Sequence, residues 1–366
     1  MARLFPLLQA LRPPPPSPCP SRRPPRRPRC WGAALAFWLL PLVGCSRPAP
    51  TVTMPVSNWP GYEYFYLAEQ RGLAARHGLT LRSSEFPDPQ GIVHAYLRGE
   101  LQIAQLTTVE AVDICSKVPD RCPVVVLVLD ESRGGDQLLA RPGIASIAAL
   151  RGRRVGVTLS TLGPFVLSRA LAQAGLSLND VKMRNITLAS MPSALASGNL
   201  DAAVLFAPYT EQALRHPGVR RLFDSRSIPG EILDVLVVDP AILAAEAGTI
   251  SRLVQVWQEA HRLARAEPQP SRALMARREG LTVAEFERAE LGLRYFDLSQ
   301  QQRLLTPGGP VQRNLEAVRR VQEQLDLVQP GGPLPAVSSA PVQAALQAMA
   351  PGPVPRRDAT VPVSRG

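Results

Sequence analysis

The sequence predicts an α/β protein of two lobes that close like a clamshell, two doubly wound sheets joined by two hinge crossings. Three observations predict it. Strand-like and helix-like segments alternate from Thr51 onward, the signature of an α/β fold. The run Val124-Val125-Val126-Leu127-Val128-Leu129 is continuously apolar and largely β-branched, which fits a strand buried on both faces in a parallel sheet. A second alternating series begins near Arg153 and resembles the first in order. Residues 97–104 and 195–203 each read as a helix end, a glycine stop and a short strand.

In the first series, strands are expected at 51–56, 79–84, 101–106 and 123–129, with helices at 62–71, 89–97 and 109–115. In the second, strands are expected at 153–158, 181–188, 201–206 and 219–224, with helices at 163–174, 192–197 and 209–215. Residues 231–238 again read as a strand. Apolar residues at helical spacing then predict helices over 250–266, 271–279, 283–292 and 311–327. Short crossing strands near 136–142 and 229–235 would divide the chain into one lobe of 52–138 with 233–329 and a second of 139–232. The stretch 330–366 holds eight prolines and reads as a tail, mostly coil, with one helix at 341–349.

Net charge narrows the function classes. The chain of 366 residues carries a formal +11, but seven arginines and no acid fall in residues 1–44. The remainder carries +4, too little for a phosphate-tracking surface, so no nucleic-acid partner is expected. The four histidines are scattered singly, and neither a metal site nor a cofactor is expected. Residues 12–29 are rich in arginine and proline, and 31–43 form an apolar run too short to span a bilayer but suited to a signal peptide. Leu42-Val43-Gly44-Cys45 resembles the lipobox of bacterial lipoproteins, with Cys45 as lipid acceptor and 45–51 as tether. Export of this kind favours a disulfide between Cys115 and Cys122, the alternative being two free thiols.

Ligands of open α/β sheets sit off the carboxyl ends of the strands. Five segments qualify. The first, 57–66, concentrates aromatic residues; Trp59 reads as a pocket wall, and Phe65 and Tyr66 as helix packing. Thr107 and Thr108 follow a strand, where either could cap a helix. Residues 130–136 contain the Gly134-Gly135 pair, with Asp136 read as a hinge or loop brace rather than a ligand contact. Ser160 and Thr161 precede a helix whose free amides suit an anionic oxygen. Tyr209 follows the step Ala207-Pro208.

Laid out in this order, the chain resembles the substrate-binding proteins of ABC importers for taurine, aliphatic sulfonates and nitrate, with their relatives that bind thiamine-pyrimidine precursors. The resemblance rests on Trp59-Pro60-Gly61-Tyr62, Gly99-Glu100-Leu101, Ser132-Arg133-Gly134-Gly135-Asp136, the stretches 147–157 and 172–181, Ser197-Gly198-Asn199-Leu200-Asp201, and Ile228-Pro229-Gly230. It implies a periplasmic-binding-protein clamshell. It also implies ligand contacts at Asn58, Trp59, Tyr62, Thr107, Thr108, Ser132, Gly134, Ser160, Thr161 and Tyr209. The implied function is a monomeric, lipid-anchored periplasmic receptor that hands a small anionic or flat heterocyclic solute to an ABC permease. One departure matters. The family often has an acid before the Pro-Tyr step, and here Ala207 stands there. If that acid meets a cationic part of the ligand, an amine-bearing solute is disfavoured. Arg133 would favour an anion if it faced the site, and is otherwise a surface residue. Two alternatives remain at this level: a lipoprotein that senses its ligand for a signalling partner, and a pyrimidine-synthase-like enzyme on the same fold. The second lacks its expected cysteine-dense motif here.

Overall fold

The computed structural model describes residues 48–350. The expected signal segment 1–44, the lipid-acceptor Cys45 and the chain beyond residue 350 lie outside the described residues. The strands in order are β1 (Thr51–Val56), β2 (Thr80–Glu85), β3 (Ile103–Thr107), β4 (Val124–Ser132), β5 (Gln137–Ala140) and β6 (Arg154–Val157). They continue with β7 (Lys182–Asn185), β8 (Ala202–Leu205), β9 (Arg220–Asp224), β10 (Leu233–Val238), β11 (Leu293–Tyr295) and β12 (Ala336–Val337).

β1 and β2 pair in parallel. β1 also lies beside β3, where Gln105 Nε2 donates to the Pro55 carbonyl at 3.2 Å. One five-stranded sheet has the order β11-β4-β10-β3, with β12 added along β4; the other has the order β7-β6-β8-β5-β9. In the second sheet β6 runs parallel to β7 and β8, while β5 is antiparallel to β8 and β9. Every residue of β4 is buried, as its apolar run predicts. Its direction differs from the expectation: β4 is antiparallel to β10 and β11, and parallel to β12 alone. Continuous hydrophobicity reports burial on two faces. Strand direction is set by the chain's return from the second sheet, which brings β10 in head to tail against β4.

The chain passes between the sheets over residues 133–136 and 225–232. Both expected crossing strands belong to sheets instead: β5 lies inside the second sheet, and β10 is central in the first. Serine and backbone groups brace the two passages together. Ser132 and Ser225 share a side-chain hydrogen bond of 2.8 Å, and the Gly134 amide donates to Ser225 Oγ at 2.6 Å. The Asp136 amide donates to Ser132 Oγ at 3.2 Å.

Most expected helices form with ends shifted by a few residues, a normal displacement because helix termini are set by capping more than by periodicity. Three helices, Leu73–Arg76, Pro240–Ala245 and Leu298–Leu304, and the short strand β11 occur where no element was expected. Part of the expected tail is core. β12 extends the first sheet, and helix Ala340–Met349 packs on helix Ala247–Ala266 with Val342 and Ala345 fully buried. Cys115 and Cys122 are joined by a disulfide that ties helix Thr108–Lys117 to the loop entering β4.

Candidate functional site

Strand register assembles the floor of the site. Across the first sheet Tyr295 stands opposite Asp130, Asp130 opposite Asp234, and Asp234 opposite Thr107. Directly opposed residues project from the same face of a sheet. Two carboxyl groups therefore meet side by side at the carboxyl ends of β3 and β4.

The loop after β1 covers this row. Trp59 Nε1 donates to both Asp130 oxygens at 3.4 and 3.3 Å, and the Tyr62 hydroxyl donates to Asp234 Oδ1 at 2.5 Å. Two glycines permit this approach. A Cβ on Gly61 would lie 1.8 Å from Asp130 Oδ2, and one on Gly135 would lie 2.6 Å from Trp59 Cη2. Thr107 ends β3 and caps the following helix. Its Oγ1 accepts from the Glu110 amide at 3.3 Å, and Glu110 Oε2 accepts from the Thr107 amide at 2.9 Å. This reciprocal capping box holds Glu110 at the helix start, facing the cleft.

The resulting cavity is narrow, about 10 Å³, room for about one water. Trp59, Tyr62, Thr107, Glu110 and Asp234 wall it from the first sheet's side, Leu162 and Phe206 from the second's, and Asp136 from the passage between them. Phe206 meets the Trp59 ring edge-on, with centroids 5.6 Å apart. At the rim Asn58 Nδ2 donates to the Tyr209 hydroxyl at 3.3 Å, linking the two sides directly. The Tyr209 hydroxyl in turn donates to the Pro87 carbonyl at 3.3 Å.

The cavity's electrostatics are acidic. Burial pushes the Asp136 carboxyl up to about 7, with the Ser132 hydroxyl partly opposing. Burial likewise raises Glu110 to about 7; the Thr107 amide and hydroxyl favour the ionised form, as does the Leu162 amide that faces it. Asp130 is raised to about 7, by burial first, against hydrogen bonds from Asp234 and Trp59. Asp234 is raised further, by burial and then by the Asp130 charge beside it. Two carboxyls at this separation share a proton rather than ionise together. Burial, then the neighbouring acids, hold the Tyr62 hydroxyl protonated.

The structure brings Asn58, Trp59, Tyr62, Thr107 and Tyr209 to this cleft. It assigns the others elsewhere. Thr108 is fully buried behind Thr107, and Ser132 and Gly134 serve as braces of the passages. Ser160 and Thr161 line a neighbouring cavity with Asp113, Lys117 and Gln322. Thr161 Oγ1 accepts from the Gly163 amide at 3.3 Å, and Leu162's amide faces Glu110, so the helix start expected to hold an anion is already furnished with oxygens of the chain itself. Asp136 is not merely a loop brace: its side chain lines the cavity and its Oδ1 meets no partner. Arg133 is exposed and lies 3.5 Å from Glu131, outside the cavity wall. The acids that matter most were missed. The Thr-x-x-Glu spacing of 107–110 was a readable signal for Glu110. Nothing in sequence pattern pairs Asp130 with Asp234, because that pairing depends on the β4–β10 register.

Comparisons with known proteins agree with this architecture. The model of the NMT1-like family matches residues 46–278. A protein of Brucella abortus named "Putative binding protein" is 25% identical over 245 residues, 65% of this chain and 74% of that one. An Escherichia coli protein named "Putative aliphatic sulfonates-binding protein" is 32% identical over 139 residues, 38% of this chain and 43% of that one. The alkanesulfonate-binding protein of Xanthomonas axonopodis pv. citri, solved bound to MOPS, superposes with a TM-score of 0.66 at 16% identity, over 81% of this chain and 98% of that one. The last likeness is one of fold, and the fold is that of periplasmic binding proteins.

Proposed function

The chain belongs to the NMT1-like family, and on that footing we propose that it is the solute-binding protein of an ABC importer, capturing a small solute between two lobes and presenting it to a permease. The observation that carries this reading is the cavity itself: its walls come from both sheets and from the passage between them, with Asn58 and Tyr209 in contact across the rim. The lobes follow the two sheets, 52–132 with 233–349, and 137–224, in place of the expected division at 138/139 and 329; the two passages, 133–136 and 225–232, are the hinge. Asn58, Trp59, Tyr62, Thr107 and Tyr209 act at the ligand, joined by Glu110, Asp136 and Asp234. The sulfonate binding in the names of two similar proteins supports the transport role and the size class of the solute. The mature protein is a monomer held at the membrane by lipid on Cys45, and it binds its solute without transforming it.

A scattering experiment tests the clamshell. Full-length mature protein is titrated with solutes identified from a broad library by thermal shift. A bound solute should reduce the radius of gyration and protect residues 133–136 and 225–232 from hydrogen exchange. An unchanged curve and unchanged exchange at saturation would contradict capture by closure. For the anchor, wild-type protein should incorporate labelled fatty acid and enter the detergent phase, and Cys45→Ala should do neither. A Cys45→Ala form that stays with the membrane would contradict lipid anchoring.

A further inference from the structure

The proposed solute-binding function leaves the chemistry of the solute open, and the inference drawn next rests on that function. Among the described residues, three carboxyl oxygens in the wall of the cavity have no donor within hydrogen-bond distance: Glu110 Oε1, on a carboxyl that the Leu162 amide faces, Asp136 Oδ1, and Asp234 Oδ2, on a carboxyl that shares a proton with Asp130. Their residues are 1%, 1% and 2% exposed. They arrive from three separate stretches of chain, a helix start, the passage between sheets and β10, so no single local motif accounts for their convergence. A buried acceptor without a donor is destabilising, and a fold that retains three around one cavity leaves them for something that enters it.

Among the described residues, no lysine, arginine or histidine lines the cavity. The charged groups acting on these acids are one another, Asp130 and Glu131. Glu131 is engaged elsewhere, 3.5 Å from each of Arg133 and Arg294. Tyr62 faces Asp234 as a neutral donor. An entering sulfonate or nitrate would find three acids in the wall and, among the described residues, no cation. Facing the acids is an apolar wall of Trp59, Pro89, Leu162 and Phe206. The cavity as it stands has room for about one water, about 10 Å³, so a ligand requires the two sides of the cleft to part.

We propose that the cavity takes a small organic cation, its N–H donors shared among Glu110, Asp136 and Asp234 and its body against Trp59 and Phe206. The acids supply the cationic contact that Ala207 cannot. Without a ligand, burial raises all three carboxyls, Glu110 and Asp136 to about 7, so these two carry protons at pH 6 and give them up toward pH 8. The entering cation takes the place of those protons, and each carboxyl that ionises passes one proton to the buffer.

The test uses full-length mature protein, unfolded and refolded to strip any bound solute. Benzamidinium, methylguanidinium and phenethylammonium are compared with methanesulfonate and nitrate by thermal shift and calorimetry at pH 6 and pH 8. At least one cation should bind, about tenfold more tightly at the higher pH, as the carboxyls give up protons. Asp136→Asn and Glu110→Gln should each weaken that cation by about 30-fold or more, while the unliganded variants stay folded. Two variants are used so that a folding defect in one does not decide the outcome. Binding of methanesulfonate, nitrate or a neutral library solute in place of every cation overturns the inference and leaves the solute-binding function standing. Cation binding that neither variant weakens also overturns it. If no solute of any charge in a broad library binds, both readings fall.

Discussion

The chain buries carboxylates in two places and treats them in opposite ways. Behind the cleft, Glu63 is fully buried, and Arg278 is buried against it. Arg278 Nε donates to both Glu63 oxygens at 2.8 Å, and its Nη2 donates to the Ser57 carbonyl, also at 2.8 Å. Burial raises Glu63 and the guanidinium pulls it back. Glu279 beside them stays protonated, pushed well up by burial and by the Glu63 charge. Inside the cleft Glu110, Asp136 and Asp234, of similar burial, converge with no cation among the described residues that line it. Where a buried acid serves the fold, the chain provides its own guanidinium, which also ties helix Pro268–Glu279 to the loop carrying Asn58 and Trp59. Where the acids face a cavity, the counter-charge is left to the ligand.

Removing the built-in cation should give the largest effect. Arg278→Met strands Glu63 and frees the Ser57 loop, and is expected to cost about 3–5 kcal/mol, the penalty for breaking a buried pair. Urea unfolding of the full mature chain measures it. A loss below about 1 kcal/mol, the range of exposed pairs, would erase the contrast between the two regions. Next comes Gly61→Ala. Its Cβ would fall on Asp130 Oδ2, so the loop or the carboxylate must move; overpacking of this kind costs about 1–3 kcal/mol and should abolish ligand binding. Retained binding in a calorimetric titration would show that the Trp59–Asp130 contact does not shape the site.

Asp136→Asn should act in the other direction. The folded carboxyl sits at about 7, above its ordinary value of 3.8, so the folded state binds the extra proton. Its contribution is favourable below the unfolded value and is lost as pH rises toward 7. The unliganded wild type should therefore lose stability between about pH 4 and 7 from this group. Asp136→Asn should flatten that decline and be equal or more stable at pH 8. Parallel wild-type and variant curves in denaturant unfolding across this range would mean that the carboxyl is not desolvated. The smallest expected effect is spectroscopic. Trp59 and Trp257 are the tryptophans among the described residues, and Trp257 is fully buried in helix Ala247–Ala266. Ligand-induced fluorescence change should vanish in Trp59→Phe and persist in Trp257→Phe. The opposite pattern would move the site away from the cleft.

How far the sequence reveals all this differs between fold and site. Burial and local periodicity are written in composition, so β4, β10 and the helices of both series could be read from apolar runs and glycine stops. The aromatic loop 57–66 marked one wall of the cleft for the same reason, because rings concentrated at a strand end need a surface to cover. Strand direction and register are not local properties. They determine that Asp130 meets Asp234, that Ala336–Val337 extends the first sheet and that Ser132 braces Ser225 rather than a ligand. Ser160 and Thr161 read as an anion cradle until Glu110 is seen facing the same helix start. Its arrival from the other side of the cleft is a tertiary fact. The sign of the site's charge was therefore the least legible feature, although each acid was visible in the chain.

Calorimetry of cation binding in two buffers of equal pH but different ionisation enthalpy tests the central claim most directly. The apparent enthalpy difference counts protons exchanged on binding. With the cleft acids protonated when empty and ionised when filled, about one or more protons should be released per benzamidinium or other bound cation near pH 6.5, and Asp136→Asn should reduce that number. Zero release, or proton uptake on binding an anion such as methanesulfonate, would contradict the account.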